Sequence, residues 1–203
     1  MEKELNYPDI EGNYGGNQEW FSYFSMRVGG CAAATACELL MYLSQKEEAY
    51  RELYPFDSGR FTKAGFNELG KRMRPYLKPR RSGINRLSIY MDGLFAYMEQ
   101  EAKRPKLFLM EGFDGNRCVR DAEAFIRGRL EDDMPVPYLL LRHRDPSFDD
   151  ITWHWFMLTG YEERPEGFTV RFATYGERRE VLLERLWDTG YGEKGGMVGI
   201  CLA

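Results

Sequence analysis

The spacing of hydrophobic residues predicts helices in the first two thirds of the chain. A run dense in strong helix formers and small residues begins abruptly at Cys31, directly after Gly29 and Gly30, and a buried central helix is expected to start there. Apolar residues recur at helical intervals in residues 62–74, 85–103 and 118–130. Residues 14–30 are rich in glycine and aromatic residues without a regular period, and we expect an ordered loop.

Beyond residue 132 the pattern changes to short β-branched and aromatic runs separated by glycine, proline and charged residues. These runs predict strands at residues 136–141, 153–161, 168–175, 180–183 and 197–202. Helices first and strands second, without alternation, predict an α+β fold with an antiparallel sheet. We expect one domain over residues 1–203, with a helical part at about 14–132 and a sheet part at about 133–203.

Charge and hydropathy narrow the range of partners. The 203 residues include 28 basic and 32 acidic side chains, for a formal net charge of −4, and no basic tract suited to nucleic acid is present. No apolar run approaches the roughly 20 residues that span a bilayer. The first residues lack the features of a signal peptide. We therefore expect no nucleic acid, no membrane span and a cytoplasmic location.

Four cysteines in 203 residues are too sparse for a disulfide framework and are expected to be free thiols. The chain contains neither a Cys-x-x-Cys nor a His-x-x-x-His pair, and it has only two histidines. We therefore expect no metal site and no other cofactor.

Cys31 occupies a position that favours reactivity. At a helix N-terminus, unpaired backbone N–H groups and the helix dipole both stabilise a thiolate. The same amides can stabilise an oxyanion on an attacked carbonyl group. The alternative is a small buried cysteine that only packs in the core, and the residues alone leave both interpretations open.

His154 is the better placed of the two histidines. Strand alternation puts it on the same face as Phe156 and Leu158, half buried between two tryptophans. A core histidine bonded to a backbone carbonyl is the alternative. His143 lies among charged residues and is expected to be a solvated loop residue. The tryptophans at positions 20, 153 and 155 could wall a cleft or belong to the core.

Three features in this order resemble papain-like cysteine peptidases, in particular their bacterial bacteriocin-processing-like branch. They are Gly-Gly-Cys at a helix start, Met-Pro-Val-Pro-Tyr-Leu-Leu-Leu at 134–141 and His-Trp-Phe-Met-Leu-Thr-Gly-Tyr at 154–161. The resemblance covers about residues 13–188. It implies a papain-like fold in which Cys31 is the nucleophile and His154 the general base. It further implies that a peptide or protein substrate is cleaved through an acyl-enzyme.

The resemblance also implies a side-chain amide upstream of the cysteine as an oxyanion donor, for which Gln18 or Asn17 is the candidate. Either could equally be an ordinary loop amide. Ala32 stands where the family usually has glycine after the nucleophile, which could alter how other backbone approaches the helix start.

A larger difference from the family concerns the residue that orients the histidine. The family has Asn or Asp about twenty residues after the histidine, but no asparagine follows His154 here. Thr174 is the nearest polar candidate, and Asp188 is the fallback. A hydroxyl can orient the imidazole but stabilises imidazolium less than a carboxylate does.

These residues predict a cysteine hydrolase that cleaves peptide or related amide bonds. Two alternatives stay open. A peptidyl or acyl transferase of the same fold would pass the acyl group to an amine, and a catalytically silent protein would bind peptides without cleaving them.

Overall fold

The computed structural model describes residues 1–56, 59–104 and 107–202. Helices in these ranges are α1 (Phe24–Gly29), α2 (Cys31–Lys46), α3 (Lys63–Met73), α4 (Leu87–Gln100), α5 (Val119–Glu131) and α6 (Leu183–Trp187). Strands are β1 (Glu2–Glu4), β2 (Asp9–Ile10), β3 (Asn13–Tyr14), β4 (Phe108–Asp114), β5 (Val136–Leu140), β6 (His154–Arg164), β7 (Gly167–Thr174), β8 (Glu177–Leu182) and β9 (Gly195–Leu202). Short 3-10 helices lie at Gln18–Trp20, Glu48–Leu53 and Pro146–Ile151.

The main sheet has the strand order β4-β9-β5-β6-β7-β8, and β1 also pairs with β6. Neighbouring strands of this sheet run antiparallel, which confirms the predicted mixed fold with an antiparallel sheet. β6 lies at the centre, because β5 and β7 flank it on either side. In this register Leu140 is opposite His154, and Met157 is opposite Ala173.

The longer predicted helices begin and end within a few residues of their predicted positions. α2 begins at Cys31, and α3 is capped by the Thr62 hydroxyl, which accepts the Gly65 N–H at 3.0 Å. The first thirteen residues of α2 are all buried. Small side chains in its first two turns allow other backbone to approach closely, as the composition predicted.

Two predictions of local structure were incomplete. Residues 14–30 contain α1, a six-residue helix that buries only Met26 and therefore shows no amphipathic period. β4 was not predicted because Gly112 interrupts its alternation, and it is formed by pairing with the distant β9. β4 lies within the predicted helical part and β1 lies before it, so the sheet also contains strands from before residue 133.

None of the helices in the part of the chain that the structure describes has the length and apolar character needed to cross a bilayer.

Candidate active site

The junction between α1 and α2 fixes the position of Cys31. Gly30 is the residue before α2, and its N–H donates to the Met26 carbonyl at 2.8 Å. A Cβ atom at Gly30 would lie 2.3 Å from that same oxygen, a distance that no side chain tolerates. Glycine at position 30 therefore allows α1 to end directly against the start of α2, with Cys31 as its first residue.

The Cys31 thiol is largely enclosed, with 9% of the residue exposed. Burial raises the pKa of the Cys31 thiol above its ordinary value and outweighs the nearby backbone N–H groups of Trp155, on β6, and of Ala32 and Cys31 itself, which favour a thiolate. The helix start that was predicted to activate the thiol is thus opposed by desolvation, and in this conformation the thiol is neutral.

His154 is the first residue of β6 and is buried. Its Nε2 atom is hydrogen-bonded to the Thr174 hydroxyl at 2.9 Å. Burial lowers the pKa of His154 to about 4, and the nearby Asp150 and Arg179 have smaller, opposed effects. The imidazole is therefore neutral near pH 7, and with Nε2 bonded to Thr174 its Nδ1 atom is left for other chemistry.

Tyr175 is a site residue that sequence reasoning missed. Its ring stacks on His154 with centroids 4.6 Å apart and planes inclined by 17°. Its hydroxyl donates to the Asp150 carbonyl at 3.1 Å and lies 3.4 Å from Nδ1 of His154. Tyr175 and Gly176 form the two-residue turn between β7 and β8, and both have a left-handed backbone, with φ of 53° and 79°, as such a turn requires.

The predicted site residues meet at one small cavity of about 10 Å³. Cys31, His154, Thr174 and Gln18 all line it, although they come from α2, β6, β7 and a 3-10 helix. The sequence separates these residues by up to 156 positions, and the fold brings them together.

Gln18 lies beside the cavity, but its amide is already bonded. Its Nε2 atom donates to the carbonyls of Arg27 and Val28 at 2.8 and 3.3 Å, which uses both N–H bonds. A role as oxyanion donor stays a prediction and requires the amide to turn towards Cys31. Asn17 caps the 3-10 helix and donates to the Tyr175 carbonyl at 3.2 Å, so it ties this loop to the end of β7.

The remaining candidates do not line the cavity. Asp188 is exposed at the end of α6. His143 is bonded to the Asp145 N–H and the Arg185 carbonyl, both at 2.9 Å, so its role is to hold a loop.

The tryptophans next to His154 differ in environment. Trp155 belongs to the core, where its Nε1–H donates to the Ile84 carbonyl at 2.6 Å and its ring stacks on Tyr90. Trp153 is 48% exposed and lines a separate surface pocket. Trp155 also lines the small cavity beside His154, whereas Trp20 is half buried and its ring lies 5.7 Å from that of Phe66.

Glu38 is the second site residue that the sequence did not reveal. It lies two turns after Cys31 on α2 and lines the same cavity, with only 4% of the residue exposed. Its carboxyl group accepts the Gly16 N–H at 3.1 Å and the Tyr7 hydroxyl. Burial raises the pKa of Glu38 from 4.5 to about 8. Nothing in the local helical pattern indicates burial of this residue.

Together these groups can carry out nucleophilic chemistry with a neutral starting pair. A neutral imidazole that reaches a thiol can remove its proton as the sulfur attacks. Backbone N–H groups at the start of α2 lie next to the sulfur and can stabilise a developing negative charge.

Comparison of the chain with protein-family models, with curated proteins and with solved structures found no match. The functional interpretation therefore depends on the residues and their geometry.

Proposed function

We propose that this chain is a papain-like cysteine hydrolase that cleaves peptide or related amide bonds with Cys31 as nucleophile and His154 as base. One observation carries the proposal. A cysteine at the start of a buried helix and a histidine at the start of a central strand line one cavity, and the histidine is bonded through Nε2 to a buried hydroxyl. That constellation is the one that nucleophilic catalysis by a thiol requires.

The first step of the reaction forms the acyl-enzyme. The Cys31 sulfur attacks the substrate carbonyl carbon while Nδ1 of His154 takes the thiol proton, and a C–S bond forms as the carbonyl electrons move to oxygen. The backbone N–H groups at the start of α2 stabilise that oxygen. The C–N bond then breaks, and the leaving amine takes the proton from His154.

The second step releases the product. Water attacks the thioester carbon as His154 removes one of its protons, and the C–S bond breaks to give the carboxylic acid and the Cys31 thiol. An amine in place of water would give a new amide, which is the transferase alternative. Thr174 keeps the imidazole in one orientation in both steps.

Cys31 and His154 are both neutral before substrate binds, and this predicts slow turnover. Because burial raises the pKa of the Cys31 thiol and lowers that of His154, the proton must be transferred during attack and not before it. The enzyme is expected to be slow until substrate or a movement of Tyr175 changes the environment of the pair.

A peptide-binding protein without activity is the second candidate. Lack of activity is favoured by the Tyr175 hydroxyl, which lies 3.4 Å from the catalytic nitrogen, and by the cavity beside Cys31, whose volume of about 10 Å³ has no room for a substrate amide.

Cleavage of a peptide library, followed by mass spectrometry, separates the two candidates. We expect slow cleavage by the wild type and none by Cys31→Ser or His154→Ala. Cys37→Ala is the matched control, because Cys37 is a second buried free thiol on the same helix. Equal product from all four proteins would overturn the proposal. Binding of library peptides without cleavage would establish the alternative.

A further inference from the structure

Glu38 joins the helix that carries Cys31 to the loop that carries Gln18. One carboxylate oxygen accepts the Gly16 N–H, two residues before Gln18, and the other accepts the hydroxyl of Tyr7. Tyr7 is itself buried. The carboxyl group thus holds two separate stretches of the N-terminal segment against α2.

Gly15 and Gly16 are shaped for this contact. A Cβ atom at Gly15 would lie 3.0 Å from the carboxyl oxygen of Glu38, and Gly15 has a φ of +76°. A Cβ atom at Gly16 would lie 2.3 Å from the ring of Phe66. The loop therefore reaches Glu38 only because both residues lack a side chain.

A carboxyl group is an unfavourable choice for purely structural packing at this position. Burial of an ionisable group opposes folding over the pH range in which the unfolded chain is charged, whereas a glutamine amide has no such penalty but provides one acceptor oxygen in place of two. Residues with strongly perturbed ionisation concentrate at functional sites. Glu38 also shares its helix face and its cavity with Cys31.

We propose that Glu38 is a positioning residue, which fixes the Gly15–Gly16 loop on α2 and so holds Gln18 beside Cys31. The inference rests on the proposed function, since it assigns Glu38 to the same thiol chemistry. Without the carboxyl group the loop loses its anchor on α2, and the part of the cavity wall that Gly16 and Gln18 form beside Cys31 loses its fixed geometry. The expected loss is in turnover and not in substrate binding.

If Glu38 has this role, turnover should depend on whether its carboxyl group is ionised. The titratable groups around its carboxyl are those of Tyr7, Cys37, Tyr90, Cys31, His154 and Tyr175. None of them carries a positive charge while His154 is neutral. A carboxylate in this cavity disfavours the negative charge that develops on the substrate oxygen, so turnover should fall as Glu38 loses its proton.

The test measures kcat and KM for a panel of N-acetyl amino-acid p-nitrophenyl esters. We expect Glu38→Ala to lower kcat at least about tenfold with KM within about twofold, and Glu38→Gln to restore kcat to within about threefold of wild type. Tyr7→Phe removes one anchor and should lower kcat by a smaller factor. Tyr42→Phe is its matched control, because the Tyr42 hydroxyl binds the Asp133 carbonyl at 2.8 Å, away from the cavity.

The ratio of wild-type to Glu38→Gln turnover is then followed against pH, because all other titrations cancel in it. It should fall as pH rises through about 8. The inference is overturned if Glu38→Ala and Tyr7→Phe, both folded by circular dichroism, keep wild-type kcat, or if the ratio is flat. If the proposed function itself is wrong, Cys31→Ser will turn over the esters as fast as the wild type does.

Discussion

The Nε2 atom of His154 lies 2.9 Å from the hydroxyl oxygen of Thr174, and both residues are buried. β6 and β7 are antiparallel neighbours, so the start of one strand lies beside the end of the other. The bond fixes the imidazole ring and directs Nδ1 away from Thr174. A hydroxyl therefore makes the contact with the imidazole for which the sequence offered no amide.

Removal of that hydroxyl is expected to weaken catalysis. Thr174→Val keeps the shape of the side chain but leaves the imidazole without its partner, and kcat should fall at least about tenfold. Thr174→Asn should preserve or raise kcat if its amide reaches Nε2. The kcat of each variant is measured with a p-nitrophenyl ester as substrate.

Thr169 provides the matched control for this change. It is a buried threonine on the same strand, and its hydroxyl has no hydrogen-bond partner among the described residues. Thr169→Val should leave kcat unchanged and should not lower stability. Equal losses in the two valine variants would show that the effect comes from β7 packing and not from His154.

Glu38 is expected to make stability depend on pH. Its pKa in the folded protein is about 8, against an ordinary value of 4.5. Below pH 4.5 the Glu38 carboxyl is protonated in both the folded and the unfolded protein, so its ionisation does not affect the free energy of unfolding. The ionisation penalty of burial grows as pH rises towards 8 and is complete above it, reaching about 5 kcal/mol at most. Denaturant unfolding should therefore show Glu38→Gln gaining stability over wild type as pH rises, and a constant difference between the two would contradict the assignment.

His154 is expected to titrate in the acid range. Its pKa is lowered to about 4 from 6.5 by burial, so the unfolded chain gains a proton between these values while the folded chain does not. Stability should therefore fall as pH decreases from 6.5 to 4. The chain has two histidines, and a His143→Gln variant assigns their NMR signals. A His154 signal that titrates near 6.5 would show that the ring is not buried in solution.

Tyr175 is expected to act through its ring. Tyr175→Phe keeps the stacking on His154 and should leave kcat within about threefold, whereas Tyr175→Ala exposes the imidazole, relieves the desolvation that lowers its pKa and should raise kcat. Similar values for both variants would assign the effect to the hydroxyl.

Local patterns singled out Cys31, from the abrupt start of a helix, and His154, from its place in a strand, but left each open between packing and chemistry. Thr174 and Gln18 were candidates only because of the resemblance to papain-like peptidases. The pairing of β6 with β7 brings His154 and Thr174 together.

The residues that were missed depend on contacts between distant segments. Glu38 has the pattern of an ordinary helical glutamate, and its burial results from Tyr7 and the Gly15–Gly16 loop packing over α2. Burial likewise raises the pKa of Cys31. A helix start predicts which groups surround a thiol, but it contains no information about what covers it.

The most direct test is to trap the acyl group on Cys31. The protein is mixed with N-acetyl amino-acid p-nitrophenyl esters, quenched in acid and mapped by peptide mass spectrometry. We expect the acyl mass on the peptide that contains Cys31, formed at least about a hundredfold faster in wild type than in His154→Ala. Cys118 is the internal control, since it is an exposed free thiol at the start of another helix. Acylation of Cys118 in preference to Cys31, or acylation of Cys31 at the same rate without His154, would contradict the assignment of a catalytic pair.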